Sequence, residues 1–252
     1  IGQMDFIPKR ITKKIKYIAT SEIYAESDLL PQPLKNHIPK WYKNIKPLDH
    51  QDHIDQMWFK RIINIKSCPS FLDIYKEGIA LLSPCDIRIS FDNVDDQWTW
   101  RTPIDLFPDQ NYKETITFHN DDQMKTFLPS TAKTRVVFKI NLPLLVQPPK
   151  GYKIRMIPVP FSYNNDFKIV DGIFNPRFQP QVNMLLEYTS QKDEILIKQG
   201  TPLAVHIPYK KEEYEIETEM YDPKKHQHFR YRNDLKNTGR FHNSYLRNHD
   251  HF

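Results

Sequence analysis

Proline is abundant and glycine is scarce in this chain, and this imbalance restricts its fold more than any other feature. Twenty of the 252 residues are proline and six are glycine, about 8% and about 2% against usual values near 5% and 7%. Proline interrupts helices and central strands. We therefore expect short strands, edge strands and stiff connections, with each glycine at a turn that requires it.

Local patterns predict mostly strands. Residues 134–146 and the segment after Gly151 read as two strands joined by a tight turn, and 58–66 and 212–219 also have strand character. Gly200 is expected to form the turn of a hairpin. Strands at this spacing, with few helices, are typical of an antiparallel sandwich or barrel.

One short helix is predicted at 69–77. Ser67 and Pro69 are suited to its start, and Phe71, Leu72 and Tyr75 share one face. Gly78 is expected to end the helix in the left-handed conformation. Trp41 and Tyr42 lie in a Pro- and Lys-rich stretch, where we expect one helical turn anchored by these two rings.

The composition is that of a globular protein. Hydrophobic residues make up 39% and charged residues 27%, and no stretch approaches the roughly 18 apolar residues of a membrane helix. The N-terminus lacks the apolar core and cleavage site of a secretory signal. We therefore expect no membrane association.

Three stretches follow one another from about 134 to 209: FKINLPLLVQPPKGYKIRMIPVPFS, FKIVDGIFNPRFQPQVNMLLEY and ILIKQGTPLAVHIP, with a weaker signal before them in FLDIYKEGIALLSPCDIRIS. Their order resembles trimeric dUTPases and dCTP deaminases. The resemblance implies a mainly β, dUTPase-like β-clip fold with a few short helices and terminal extensions. It predicts a core at 67–221, an N-terminal extension at 4–66 packed on it, and a C-terminal arm at 222–252.

A second resemblance covers nearly the whole chain. The stretches HIPKWYKNIKP, SCPSFLDIYKEG, FSYNNDFKIVDG and KQGTPLAVHIP are similar to an uncharacterised protein family of marine tailed phages and some bacteria. This resemblance implies no activity. It places the protein in the cytoplasm of an infected or host bacterial cell, or in the virion.

The dUTPase resemblance implies a set of site residues. Asp171 takes the place of the carboxylate that orients the attacking water, and Phe178 that of the aromatic covering the base, with Phe174 as its rival. Ser162 falls in the phosphate-loop position, and Lys168 and Arg177 are the nearby cations. The alternative to a site is that Asp171 and Gly172 form an Asx-type turn between two strands.

The phosphate loop departs from the family pattern. The family's P-R-S-S is replaced by VPFSYNN at 159–165, which has one serine and no arginine. Several phosphate charges need donors or cations around them. This loss favours a non-catalytic structural or binding module without a cofactor. The alternative is a dUTPase-type nucleotide hydrolase, which would need Mg²⁺ to bridge the phosphates.

The acidic segment 212–219 carries five carboxylates and precedes a basic tail. Residues 220–252 have seven Lys or Arg and three Asp, a net charge of +4, with five histidines. The tail can pack as an arm on a neighbouring subunit, with the acidic segment as its partner in cis or in trans, or bind single-stranded nucleic acid. The candidate arm residues are Arg230, Arg232, Arg240, Arg247, Phe229 and Tyr231. We expect self-association, with a trimer as one form, and a virion or other protein partner as a further option.

Cysteine and histidine suggest little chemistry. Cys68 and Cys85 are expected to be free, mostly buried thiols, because a disulfide is unusual in a reducing cytoplasm and a domain of this size does not need one. Neither is expected to be reactive, since nothing in the sequence places a base nearby. His50 and His53 lie among aspartates, but a polar surface explains them without a metal. The tail histidines, His226 among them, are expected to be solvated. We predict no metal site.

Overall fold

The computed structural model describes residues 13–45, 69–108, 114–120, 122–123 and 134–227. Within these ranges the chain is mainly β, and its strands form three antiparallel sheets, which confirms the predicted fold class at that level. No helix within these ranges is long and apolar enough to span a bilayer. The predicted strand at 58–66 lies outside the described residues, as do Cys68, His50 and His53.

The helices are short. They are α1 Glu22–Ala25, α2 Lys40–Asn44 and α3 Pro69–Glu77, with a 3-10 turn at Leu34–His37. The strands, in chain order, are β1 Lys16–Ala19, β2 Gln32–Pro33, β3 Ile79–Leu82, β4 Ile87–Asp92, β5 Gln97–Arg101, β6 Ile116–Phe118, β7 Val136–Gln147, β8 Tyr152–Pro158, β9 Phe167–Ile169, β10 Gly172–Phe174, β11 Gln181–Tyr188, β12 Glu194–Ile197 and β13 Pro202–Lys210. The predicted helix at 69–77 is confirmed.

The chain moves repeatedly between two of the sheets. The first sheet has the order β1-β7-β11-β9, with β6 also paired to β7, and the second has the order β10-β8-β13-β3-β2. Strands β7 to β11 therefore alternate between the first and second sheets. The third sheet is β12-β4-β5. Its connections to β11 and β13 carry the chain from the first sheet to the second.

All three sheets contribute to one hydrophobic core. Along β11, buried residues alternate strictly with half-buried ones. This is the pattern expected of a strand that turns one face towards the core. Ile87 and Ile89 of β4, with Ile195 and Ile197 of β12, bury the inner face of the third sheet. These residues join Phe138 and Ile140 of β7 in the same cluster.

The chain divides into two compact units. One comprises residues 1–39 with 73–211, and the other comprises 40–72 with 212–252. All thirteen described strands belong to the first unit. In the second, the ring of Tyr42 stacks on Phe71 with centroids 4.1 Å apart, and Trp41 meets Phe71 edge-on. The predicted aromatic contacts of this helical turn are thus made to Phe71.

Three turn predictions have different outcomes. Gly151 and Gly200 adopt left-handed φ angles of 84° and 75°, so both are turns that favour glycine. Gly200 does not close a hairpin, however, because β12 and β13 belong to different sheets. The left-handed assignment of Gly78 is also wrong, since Gly78 is not among the glycines with positive φ.

The predicted strand at 212–219 is wrong. The segment has no strand structure, and every residue in it is exposed. Alternation of polar and apolar residues produces a strand only where a neighbouring strand accepts its hydrogen bonds and a core covers one face. Among the described residues, the acidic segment that follows β13 has neither a pairing strand nor a covering core. Its Ile216 is 95% exposed.

Gly78 is required by close packing rather than by a turn. A Cβ atom built on it would lie 2.7 Å from Val205 Cγ1 and 2.8 Å from Leu34 Cδ2, both in buried side chains. Its carbonyl accepts a hydrogen bond from the Leu34 amide at 2.8 Å. The backbone of Gly78 is therefore held against two core side chains.

We expect Gly78→Ala to lower the free energy of unfolding by about 1–3 kcal/mol, the usual cost of overpacking a dense core. Urea unfolding followed by circular dichroism measures the change. Gly172→Ala is the matched control, because nothing lies within 4 Å of its Cβ position, and it should stay within about 0.5 kcal/mol of wild type. Equal effects of the two substitutions would contradict the packing role of Gly78.

Candidate functional site

Asp171 lies in the link between β9 and β10 and forms an ion pair. Its Oδ2 is 3.5 Å from Nη2 of Arg155 on β8, and the two side chains are 53% and 59% exposed. Strand register explains the pairing, because Ile173 of β10 lies opposite Arg155. Asp171 thus lies between two strands of different sheets, and its carboxylate is directed to Arg155.

The segment in the phosphate-loop position, residues 159–165, presents aromatic side chains. Ser162 is exposed, and Tyr163 is 71% exposed. Phe161 and Tyr163 adopt φ angles of 55° and 51°, a conformation that non-glycine residues rarely take. The segment offers the hydroxyls of Ser162 and Tyr163 and no cation to a phosphate group.

Helix α3 fixes the start of this segment. The Tyr75 hydroxyl donates a hydrogen bond to the Pro160 carbonyl at 2.7 Å. Tyr75 is 1% exposed, and burial raises the pKa of its hydroxyl to about 12. The hydroxyl therefore remains a donor at neutral pH and anchors the loop to the helix.

The other predicted site residues are exposed. Lys168 lies on β9 opposite Glu187 of β11. Arg177 and Phe178 lie in the turn after β10, where Asn175 Oδ1 accepts the Arg177 amide and the Asn175 carbonyl accepts the Phe178 amide. Phe178 is 88% exposed. Within the described part of the chain, none of these residues forms a hydrogen bond or ion pair with Asp171.

Phe174, the rival of Phe178, is buried and packs on His206. The His206 ring lies between two aromatic rings, with centroids 5.9 Å from Phe174 and 6.1 Å from Tyr17. Its Nδ1 is 3.0 Å from the Tyr17 hydroxyl. Its Nε2 is buried and has no hydrogen-bond partner within the described ranges. Burial lowers the pKa of His206 to about 4, so the ring is neutral at pH 7.

Sequence reasoning did not single out His206. It lies in the apolar strand TPLAVHIP, and nothing local marks it as different from a core residue. The second sheet places it beside Met156, which in turn pairs with Gly172. The buried imidazole on β13 is thus two strands away from β10 in the sheet, and β10 begins directly after Asp171.

An open cleft on the third sheet is a second candidate site. Its volume is about 640 Å³, within the range of small-molecule sites. Arg88 of β4 and Arg101 of β5 are direct cross-strand partners. The lining residues are Cys85, Asp86, Arg88, Arg101, Thr102, Pro103, Ile104, Leu196, Lys198 and Gln199. None of them belongs to the segment around Asp171.

Asp86 organises one wall of the cleft. Its carboxylate accepts a hydrogen bond from the Gln199 amide at 2.8 Å and contacts Lys198 Nζ at 3.0 Å. The Gln199 amide and then Lys198 hold the pKa of Asp86 below its usual value. The neighbouring Cys85 is a free, buried thiol, as predicted, and burial, then Asp86, raises its pKa to about 11. A thiol in this state is a poor nucleophile at neutral pH.

In the second unit, the expectation that His226 is solvated is wrong. It is 7% exposed, not solvated. Its Nδ1 accepts the Asp222 amide at 2.8 Å, and its Nε2 is 2.9 Å from Glu219. Glu219 also pairs with Lys225. The end of the acidic segment therefore contacts the start of the basic tail in cis. The six predicted arm residues lie outside the described ranges.

Comparison with known proteins yields viral and phage dUTPases. No protein-family model and no curated protein matches the chain. EIAV dUTPase is 12% identical over 58% of this chain and 83% of its own, with a TM-score of 0.31. A mutant dUTPase of Staphylococcus aureus phage phi11 is 8% identical over 83% and 98%, and a Staphylococcus bacteriophage 80alpha dUTPase mutant is 8% identical over 84% and 99%; both have TM-scores of 0.38.

These TM-scores lie below 0.5, so we draw no functional conclusion from the likeness. The mainly β, antiparallel character of the protein rests on the strand pairing described above.

Proposed function

We propose that this chain is a non-catalytic module of phage type, built on a dUTPase-like β-clip scaffold and serving a structural or binding role. The observation that carries the proposal is the state of Asp171, the candidate water-orienting group. Its carboxylate is paired with Arg155 and shares no polar contact with the other predicted site residues in the described ranges.

The segment 159–165 supports the same conclusion. A triphosphate needs several cations or preorganised donors, and this segment contains no Lys or Arg. Its exposed rings, Phe161 and Tyr163, suit a protein or base surface better than a phosphate.

Exposed apolar residues support self-association. Ile173 is 63% and Phe178 is 88% exposed, and β10 is an edge strand of the second sheet. Edge strands and exposed large apolar side chains are common features of subunit contacts. We propose a homo-oligomer, with a trimer as the form that the sequence resemblance implies. The cytoplasmic or virion location and the arm role of the tail remain proposals from sequence.

The alternative is a nucleotide hydrolase. The exposure of Phe178 favours this alternative, because an exposed aromatic ring can stack on the base of a nucleotide. In that case Asp171 would be the carboxylate available to hold Mg²⁺, which commonly binds one or two carboxylates together with phosphate oxygens and would supply positive charge to the phosphates. Arg155 already occupies one side of Asp171, which fits this role poorly.

We expect Asp171→Asn to change neither nucleotide turnover nor oligomer mass, and to alter stability by less than about 1 kcal/mol, because exposed ion pairs contribute little. Phosphate release, light scattering and urea unfolding measure the three quantities. Asp73→Asn is the matched control, since Asp73 forms another exposed ion pair, with Lys76. Turnover by wild type that Asp171→Asn abolishes and Asp73→Asn preserves would overturn the proposal.

A further inference from the structure

We propose that the cleft on the third sheet binds a phosphorylated small molecule through Arg88 and Arg101. These residues lie directly opposite each other on β4 and β5, and both are exposed. Like charges in this arrangement destabilise an antiparallel pair. The core does not require either charge, because the buried face of these strands is formed by other residues, including Ile87 and Ile89. An anion between the two guanidinium groups would remove the repulsion.

The charges around the cleft leave one cation in excess. Arg88 pairs with Glu194, and Lys198 pairs with Asp86. Arg101 has no hydrogen bond or ion pair with any described residue, whereas the other two cations do. Three cations and one carboxylate, Asp86, thus line the concave surface, and Glu194 pairs with Arg88 without lining it. This balance disfavours a metal cation and favours an anion.

The residue types indicate phosphate. Arginine presents a planar set of donors that matches phosphate oxygens in pairs, and two facing arginines can contact one group from both sides. Lys198 adds a mobile point charge at the same cleft. Because the cation in excess is Arg101, we expect its guanidinium to make the strongest contact with the ligand.

The cleft also has an apolar wall, so the ligand is expected to carry an organic group. Leu196 lies beside Arg88 in the strand register and is 40% exposed. Pro103 and Ile104 line the other side. Thr102 also lines the cleft, and its hydroxyl donates to the Ile104 carbonyl at 2.8 Å, which holds this wall in place. A phosphate ester fits both halves of the surface better than inorganic phosphate.

The cleft shares no residue with the Asp171 segment, so its ligand can be tested whether or not the chain turns over nucleotides. Calorimetric titration of the full chain at low salt uses four probes: inorganic phosphate, pyrophosphate, a deoxynucleoside monophosphate and a hexose phosphate. We expect at least one ester to bind more tightly than inorganic phosphate. The two esters distinguish a nucleotide source from a sugar source.

Variants locate the site. Arg101→Gln should weaken binding about tenfold or more, as expected for loss of a charge-assisted contact. Glu194→Gln should tighten binding, because it frees Arg88. Lys150→Gln removes the same charge at the exposed β7–β8 turn and should change affinity by less than about twofold, as expected for a remote, solvent-screened charge.

Thermal unfolding provides a second test if a variant is too unstable for calorimetric titration. Without ligand, Arg101→Gln should unfold at a temperature equal to or above that of wild type, because the repulsion is relieved. The tightest probe should raise the unfolding temperature of wild type and not that of Arg101→Gln. Binding of none of the probes by wild type, or equal losses in Arg101→Gln and Lys150→Gln, would overturn the assignment. So would loss confined to Arg177→Gln, which would place the ligand at the Asp171 segment.

Discussion

Replacing Tyr188 by alanine should lower the free energy of unfolding by about 4 kcal/mol, as expected for loss of a large core aromatic. Tyr188 ends β11 and is fully buried. Its ring lies 4.7 Å from that of Trp98 on β5 and 5.8 Å from the Arg135 guanidinium. It therefore joins the first sheet to the third, and its removal leaves a cavity at their junction.

The hydroxyl of Tyr188 provides the matched control. It donates a hydrogen bond to the Lys192 carbonyl at 2.7 Å, and Tyr188→Phe removes this bond while keeping the ring. We expect a loss of about 1 kcal/mol for this variant. Urea unfolding followed by tryptophan fluorescence and circular dichroism measures both changes. Similar losses for the two variants would show that the ring does not hold the sheets together.

Stability should fall as pH drops from 7.5 to 5, because of His206. Its folded pKa is about 4, below an unfolded value near 6.5. The unfolded state therefore binds more protons in this window, so protonation favours unfolding. The stabilisation is complete above pH 6.5 and is lost as pH falls towards 4. It amounts to about 3 kcal/mol in total, of which about 2 kcal/mol is lost by pH 5.

The contributions of His206 and His119 to this pH dependence must be measured separately. Urea unfolding at pH 7.5 and at pH 5 should show a much smaller difference for His206→Gln than for wild type. Burial, and then Lys139, also lowers the pKa of His119, so His119→Gln removes a further contribution of the same sign. The lowered pKa values of Asp86, Asp193 and Glu219 act only at more acidic pH. A pH dependence that His206→Gln leaves unchanged would contradict the role of the buried ring.

Sequence patterns predicted the helices, strands and turns whose conformation is determined by neighbouring residues. The proline and face pattern of 69–77 predicted helix α3, and the strand pattern of 134–146 predicted most of β7. Turn glycines at 151 and 200 followed from backbone sterics. Gly78 could not be assigned in this way, because its packing depends on Leu34 and Val205, which are far away in sequence.

Failures of prediction arise where the deciding partner is distant. Residues 212–219 have the alternation of a strand, but no strand in the described part of the chain pairs with them. The hairpin at Gly200 failed because β12 and β13 find partners in different sheets. His226 is a different case, because its partners Glu219 and Asp222 are near in sequence and the turn that brings them together was not predicted.

The candidate sites show the same limit. The turn alternative, not the resemblance, expected Asp171 between two strands, and the pairing with Arg155 depends on the register of β8 and β10. Similarly, Arg88 and Arg101 are unremarkable in sequence, and only the pairing of β4 with β5 sets them opposite each other. His206 becomes distinctive only once it is buried with an Nε2 that has no hydrogen-bond partner among the described residues.

Hydrolysis of a panel of deoxynucleoside triphosphates by the full chain with Mg²⁺ tests the proposed function most directly. Products are separated by chromatography, and the mass of the same sample is measured by light scattering. A non-catalytic module should give a stable oligomer and no products above the rate without protein. Formation of a monophosphate and pyrophosphate by wild type, abolished in Asp171→Asn and retained in Asp73→Asn, would show instead that the chain is a nucleotide hydrolase.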